Sequence, residues 1–207
     1  MNATKAFWFG ILGVVFFIGA TVLGGLQFSD YSHLSQFISE SYAIGTPYGV
    51  QLRYFGFMPS GIFITLFAFL AMKAVPKSTI SQIGFSGIAL FYGLATVLVS
   101  LFPCDKGCDS ELVSPSLSQI IHNLSGLLTY LIVPICLIIL GIAARKWENG
   151  KYVSLFGIIC GATSMFFVWV LSSDLQSDFL GLYQRIVEGS ILFWIVVCAI
   201  YCRNVSR

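Results

Sequence analysis

Charge is what this chain most lacks: only 10% of its 207 residues are Asp, Glu, Lys or Arg, and only two are histidine. Soluble domains carry charge on about a quarter of their residues, so an ordinary water-facing surface is excluded. No run of like charges occurs, which excludes a nucleic-acid-binding patch. Two histidines, His33 and His122, cannot build a three-histidine zinc centre of the kind found in the seven-helix ceramidase and progestin-receptor group. Neither a nucleophile elbow nor serine-triad spacing is present. The first apolar run ends in Gly24-Gly25-Leu26-Gln27 without an Ala-x-Ala site, so it reads as a retained helix rather than a cleaved signal peptide.

What the chain has instead is apolar length. It is 57% hydrophobic with 19 Phe, and its mean hydropathy is +0.88. Six stretches, near 6–27, 52–73, 81–102, 119–143, 151–171 and 182–202, are long enough to cross a hydrocarbon core roughly 30 Å thick as helices. Between them the charges alternate. Lys5, Lys73, Lys77, Arg145, Lys146, Lys151, Arg203 and Arg207 fall on one side with Glu148. Asp30, Glu40, Asp105, Asp109, Glu111, Asp174, Asp178 and Glu188 fall on the other, with Arg53, Lys106 and Arg185. By the positive-inside rule both termini are cytoplasmic and the first, third and fifth connections face outward. The expectation is an all-α, polytopic six-transmembrane-helix bundle, one domain over 1–207, in a bacterial inner or plasma membrane. Leu34, Phe37, Ile38 and Tyr42 in the connection 28–51 predict a short amphipathic helix lying on the outer interface.

Cys104 and Cys108 stand four apart on the outward side, where an oxidising compartment would join them across Gly107. A metal site made with His122 is the alternative, but it lacks a fourth ligand. Cys136, Cys160, Cys198 and Cys202 read as free, packed thiols. Gly157 with Gly161, Ala20 with Gly24 and Ala89 with Gly93 are small-residue pairs that let helices approach within a bundle, and they leave a homo-oligomer open. Pro59 and Pro134 should kink or locally loosen the second and fourth spans. Ser60-Gly61 and Ser125-Gly126 suggest a faint duplication of hairpins.

The candidate chemistry gathers at the outer ends of spans two, four and six, whose N-termini carry unpaired N–H groups. Arg53, His122, Arg185 and Glu188 are expected to line one polar cavity there, with Glu40 and Asp105 at its rim. Arginines on the base-poor side suggest an anion site for a lipid headgroup, or else neutralisation of nearby acids. Arg185 and Glu188, three apart on one helical face, would pair. No cofactor and no metal are called for, and the expected partners are membrane lipids.

Several of these pieces resemble a known family. Leu34-Ser35-Gln36-Phe37-Ile38-Ser39-Glu40, Phe102-Pro103-Cys104-Asp105, His122, and Gly181-Leu182-Tyr183-Gln184-Arg185-Ile186 with Trp194 are similar to the bacterial six-helix membrane proteins called domain of unknown function 998. Those proteins are thought to be distantly related to the Frag1/DRAM/Sfk1-type membrane proteins. The resemblance implies the six-helix fold and singles out Ser39, Glu40, Asp105, His122 and Arg185, but it implies no activity. Three functions follow as expectations. The first is a binding protein for a lipid headgroup or small amphiphile. The second is a membrane-embedded hydrolase or transferase using His122 with Asp105 or Glu188. The third is a small-solute transporter, against which stands the scarcity of ionisable residues in mid-span.

Overall fold

The computed structural model describes residues 2–108 and 114–205; Asp109, Glu111 and Arg207, assigned sides above, lie outside them. The described residues form helices and connections only. Six helices are long and apolar enough to cross a membrane: α1 (Ala3–Leu26), α2 (Gly49–Ala74), α3 (Thr79–Leu101), α4 (Leu117–Ala144), α5 (Lys151–Ser173) and α6 (Leu180–Asn204). They match the expected spans, because a run of about 20 apolar residues leaves no cheaper way to satisfy its backbone in lipid than a helix. Ser78 caps α3 by accepting the Ser81 N–H, and Ser116 caps α4 by accepting the Gln119 N–H.

Each helix packs on its neighbours in the chain, and α6 closes the ring against α1 while also touching α2 and α4. The inward face of α6 is completely buried at Val187, Ile191, Trp194, Ile195, Cys198 and Cys202. Exposed residues such as Val15, Leu131 and Trp169 are large and apolar, as a lipid-facing surface requires. In lipid, apolar burial gives little drive for helices to associate, so close backbone approach matters more. All three small-residue pairs serve it inside the chain. A Cβ on Gly157 would meet Gly141 Cα at 2.8 Å, and one on Gly161 would meet the Pro134 carbonyl at 2.7 Å, so α5 lies against α4. Gly56 faces Ala20, Gly24 faces Ser41, and Gly93 faces Thr65.

Three expectations meet different outcomes. Pro134 sits inside an uninterrupted α4, while the second span is locally loosened at Pro59, where α2 widens to a π-helical turn at Arg53–Phe57. Such a turn relieves the clash between the proline ring and the carbonyl four residues back. The two Ser-Gly pairs are not equivalent: Ser60 donates to the Gly13 carbonyl with Gly61 pressed on Gly93, whereas Ser125 bonds its own helix and nothing crowds Gly126. Finally, the connection between α1 and α2 does not lie on the interface. Its short 3-10 turn, Ile38–Tyr42, is driven into the bundle, with Ile38, Ser41, Tyr42 and Ala43 buried.

Candidate functional site

The inserted connection is a plug held from three sides. Its N–H of Ile44 donates to the Cys104 carbonyl (3.0 Å) beyond α3, and its Leu34 carbonyl accepts the Leu182 N–H (2.8 Å) of α6. From α1, Gln27 donates to the Ser41 carbonyl and accepts the Tyr48 N–H. Arg185 supplies the strongest tie. Its Nη1 donates to the carbonyls of His33 and Gln36 at 2.8 Å and of Gly181 at 2.9 Å, and its Nη2 donates to the Tyr31 hydroxyl. Burial raises the Tyr31 hydroxyl above its ordinary range, and the neighbouring Arg185 opposes the shift. Gly181 is required here, because a Cβ would run into the Gln36 carbonyl.

Beside the plug lies a small cavity of about 70 Å³. Its walls include Ser39 and Tyr42 from the plug, Tyr92 and Thr96 from α3, His122, Thr129 and Tyr130 from α4, and Gln184 and Glu188 from α6. Glu188 is 8% exposed and sits eight residues into α6, about 12 Å along the axis at 1.5 Å per residue. It accepts hydrogen bonds from the hydroxyls of Tyr92 (2.7 Å) and Tyr130 (2.9 Å). A carboxylate has about four acceptor positions, so two stay open. Gln184 donates to the Tyr130 hydroxyl (2.9 Å) and accepts the Ile38 N–H (2.6 Å), which wires the plug to the carboxyl.

Local backbone geometry positions these groups. Tyr92 lies in a π-helical turn of α3, Ala89–Leu94, and the Thr129 hydroxyl of α4 donates to the Phe91 carbonyl within that turn. Tyr42 enters between Phe57, at 4.5 Å, and His122, at 6.1 Å between ring centres. Burial raises the Tyr42 hydroxyl, Glu188 raises it further, and Arg53 works against both.

The candidate residues therefore divide. Ser39, His122 and Glu188 share the cavity; Arg53, Arg185, Glu40 and Asp105 are not among its walls. Arg185 and Glu188 do not pair, since the guanidinium takes carbonyls while the carboxyl takes phenols. Glu40 accepts the Phe37 N–H (2.7 Å) and a Gln36 amide, closing the start of the plug turn. Asp105 holds the start of α4: its carboxylate accepts the N–H and hydroxyl of Ser116, and its own N–H donates to Gln119. Those Ser116 contacts hold the Asp105 carboxyl below its ordinary value. His122 Nδ1 lies 3.3 Å from the Phe102 carbonyl, so it is engaged by neither Asp105 nor Glu188. Arg53 is half-buried, with a buried Nε that has no hydrogen-bond partner. The sulfurs of Cys104 and Cys108 are in direct contact, with Cα atoms 5.0 Å apart and Gly107 at a positive φ of 81°. Among the described residues no three His, Cys, Asp or Glu side chains gather as a metal site.

The family model described as "Protein of unknown function (DUF998)" matches residues 11–201. The chain belongs to that family. In this DUF998 member the matched region holds the whole plug, the cavity and both tyrosines of the Glu188 network. No curated protein and no solved structure matches the chain. Tyr92, Tyr130 and Gln184 are the site residues that sequence reasoning missed. Gln184 stood inside the quoted Gly181–Ile186 segment, one position from the arginine that drew attention. The tyrosines carry no distinguishing signal, since aromatic residues are common throughout these spans.

Proposed function

We propose that this integral membrane protein is a non-catalytic binding protein whose cavity takes a small cation at Glu188. One observation carries the reading: a carboxyl buried inside a span, with two acceptor positions beyond those its two tyrosine partners take, lines a small cavity that no Lys or Arg lines. A buried carboxylate without a cation is costly, and an incoming cation would offset that cost. Tyr92 and Tyr130 orient the carboxyl by donating to it, while Ser39, Thr96 and Thr129 offer hydroxyl oxygens nearby. With about 30 Å³ of liquid volume per water, the cavity has room for about two waters or one small ammonium ion.

The lipid-headgroup reading depended on Arg53 and Arg185 acting together, and Arg185 already spends its Nη groups on four oxygens. The acid-base reading needed His122 beside a carboxylate, and its ring instead faces the Phe102 carbonyl. Charge order supports an outward-facing plug, with both termini cytoplasmic. The Cys104–Cys108 contact would then be a disulfide at the plug's edge.

The experiment is thermal unfolding of detergent-purified protein in methylammonium chloride, against tetrapropylammonium chloride at equal ionic strength. Methylammonium should raise the midpoint of the wild type, the bulkier ion should not, and Glu188→Gln should abolish the difference. An equal response in Glu188→Gln, or none in the wild type, rejects the site.

A further inference from the structure

Glu188 borders a second space. Between α1 and α6 runs a groove of about 320 Å³, walled by Ile18, Thr21, Val22, Leu192, Phe193 and Val196 together with Glu188 itself. Ile18, Val22 and Phe193 are each about half exposed on the bundle surface, so in a bilayer the groove opens among lipid chains. Phe17, Ile38 and Glu188 line both this groove and the small cavity, and so form the partition between them. Beside the carboxyl stands Gly189, where a Cβ would find nothing within 4 Å. Glu188 lines the groove as well as the cavity, so the groove runs up to that residue from the lipid side, while the plug lies toward the loop end.

We propose that the groove admits a single-chain amphiphile with a primary ammonium head, its chain lying between α1 and α6 and its head donating to Glu188. The proposal rests on the cation-binding reading of Glu188. Charge complementarity selects the head: the carboxyl has open acceptor positions, and three N–H donors of an ammonium can reach them. Arg185 also touches the groove, but its Nη1 is held on the Gly181 carbonyl, seven residues from Glu188 and about 10 Å nearer the loop end. Its charge sits above the head rather than beside it. The volume is near the lower bound of about 300–1,000 Å³ for ligand sites, which suits one chain and not two.

The test uses the full chain in phosphatidylcholine nanodiscs with two photoreactive probes, a diazirine-bearing dodecylamine and the matching dodecanol, and maps adducts by mass spectrometry. The amine should label Ile18, Val22 and Phe193 at least ten-fold more than the alcohol does, and Glu188→Gln should remove that preference. Gly189→Leu should block the labelling by filling the groove; Ile18→Trp serves the same purpose should Gly189→Leu fail to fold. Equal labelling by amine and alcohol, or labelling spread evenly to Leu131 and Trp169 on other lipid-facing surfaces, overturns the lateral route. If methylammonium still stabilises the protein through Glu188 in that case, the cation site stands without its entry from the bilayer. Loss of both responses removes both.

Discussion

Toward the end of the bundle that carries both termini, Phe85, Trp147, Trp194 and Tyr201 stack on one another with ring centres 5.5 to 6.4 Å apart. Two of the polar handles there each find one backbone carbonyl: Trp194 donates to Val153 and Tyr201 to Glu148. Toward the opposite end, Tyr42, Tyr92, Tyr130 and His122 surround an unfilled space, and their polar atoms meet a carboxyl, an amide and a plug. The same kinds of residue are used in both places. In the first they fill the interior; in the second they are held apart by hydrogen bonds, so that a void with unused acceptors persists. A void lined by apolar groups would merely cost packing energy, whereas one lined by polar groups has a chemical use.

The sharpest way to break that contrast is to remove one member from each half. Trp194→Ala should destabilise the protein by about 3–5 kcal/mol, since the side chain is fully buried and leaves a large cavity. Glu188→Gln keeps an acceptor of the same shape, so it should cost only about 1 kcal/mol. Thermal or denaturant unfolding in one detergent measures both. A Glu188→Gln loss as large as that of Trp194→Ala would make the polar end a structural core like the other.

An effect between those two in size tests how the plug is held. Arg185→Gln removes four donated hydrogen bonds and should cost about 2–3 kcal/mol, with faster proteolysis of the 27–48 connection. Adding Glu188→Gln should not restore the loss, because the two residues have no bond to each other. Rescue by the double substitution would reinstate an ion pair.

The smallest effect concerns Asp105, on the water-exposed side of the plug's anchor. Its carboxyl is depressed in the folded state, so its contribution is complete above the unfolded value near pH 4 and is lost as pH falls through the folded value. The Ser116 amide resonance should therefore titrate below about pH 4 in wild type and stay flat in Asp105→Asn. A titration centred at or above pH 4 would place that carboxylate outside the Ser116 clamp.

How far the site was legible depended on what each residue bonds to. Glu188 and His122 were visible as polar residues near the ends of apolar spans, Ser39 was singled out by the family resemblance, and the structure brings the three together. Arg185 was visible too, but its partners are mostly carbonyls of the plug, and a carbonyl leaves no mark in a sequence. Asp105 looked like a rim carboxylate because it follows the end of the third span. It became a helix-start clamp only when the connection folded back to place Ser116 beside it.

By itself the amino-acid order determined six membrane-spanning helices and the alternation of charge between their connections. Both follow from transfer free energies and charges that are summed residue by residue along the chain. Tertiary structure alone decided that the first connection turns inward, that two tyrosines 38 residues apart meet one carboxyl, and that the arginine beside it looks elsewhere. Those outcomes depend on where backbone groups from distant helices arrive, and each buried polar atom then takes whichever partner lies within reach.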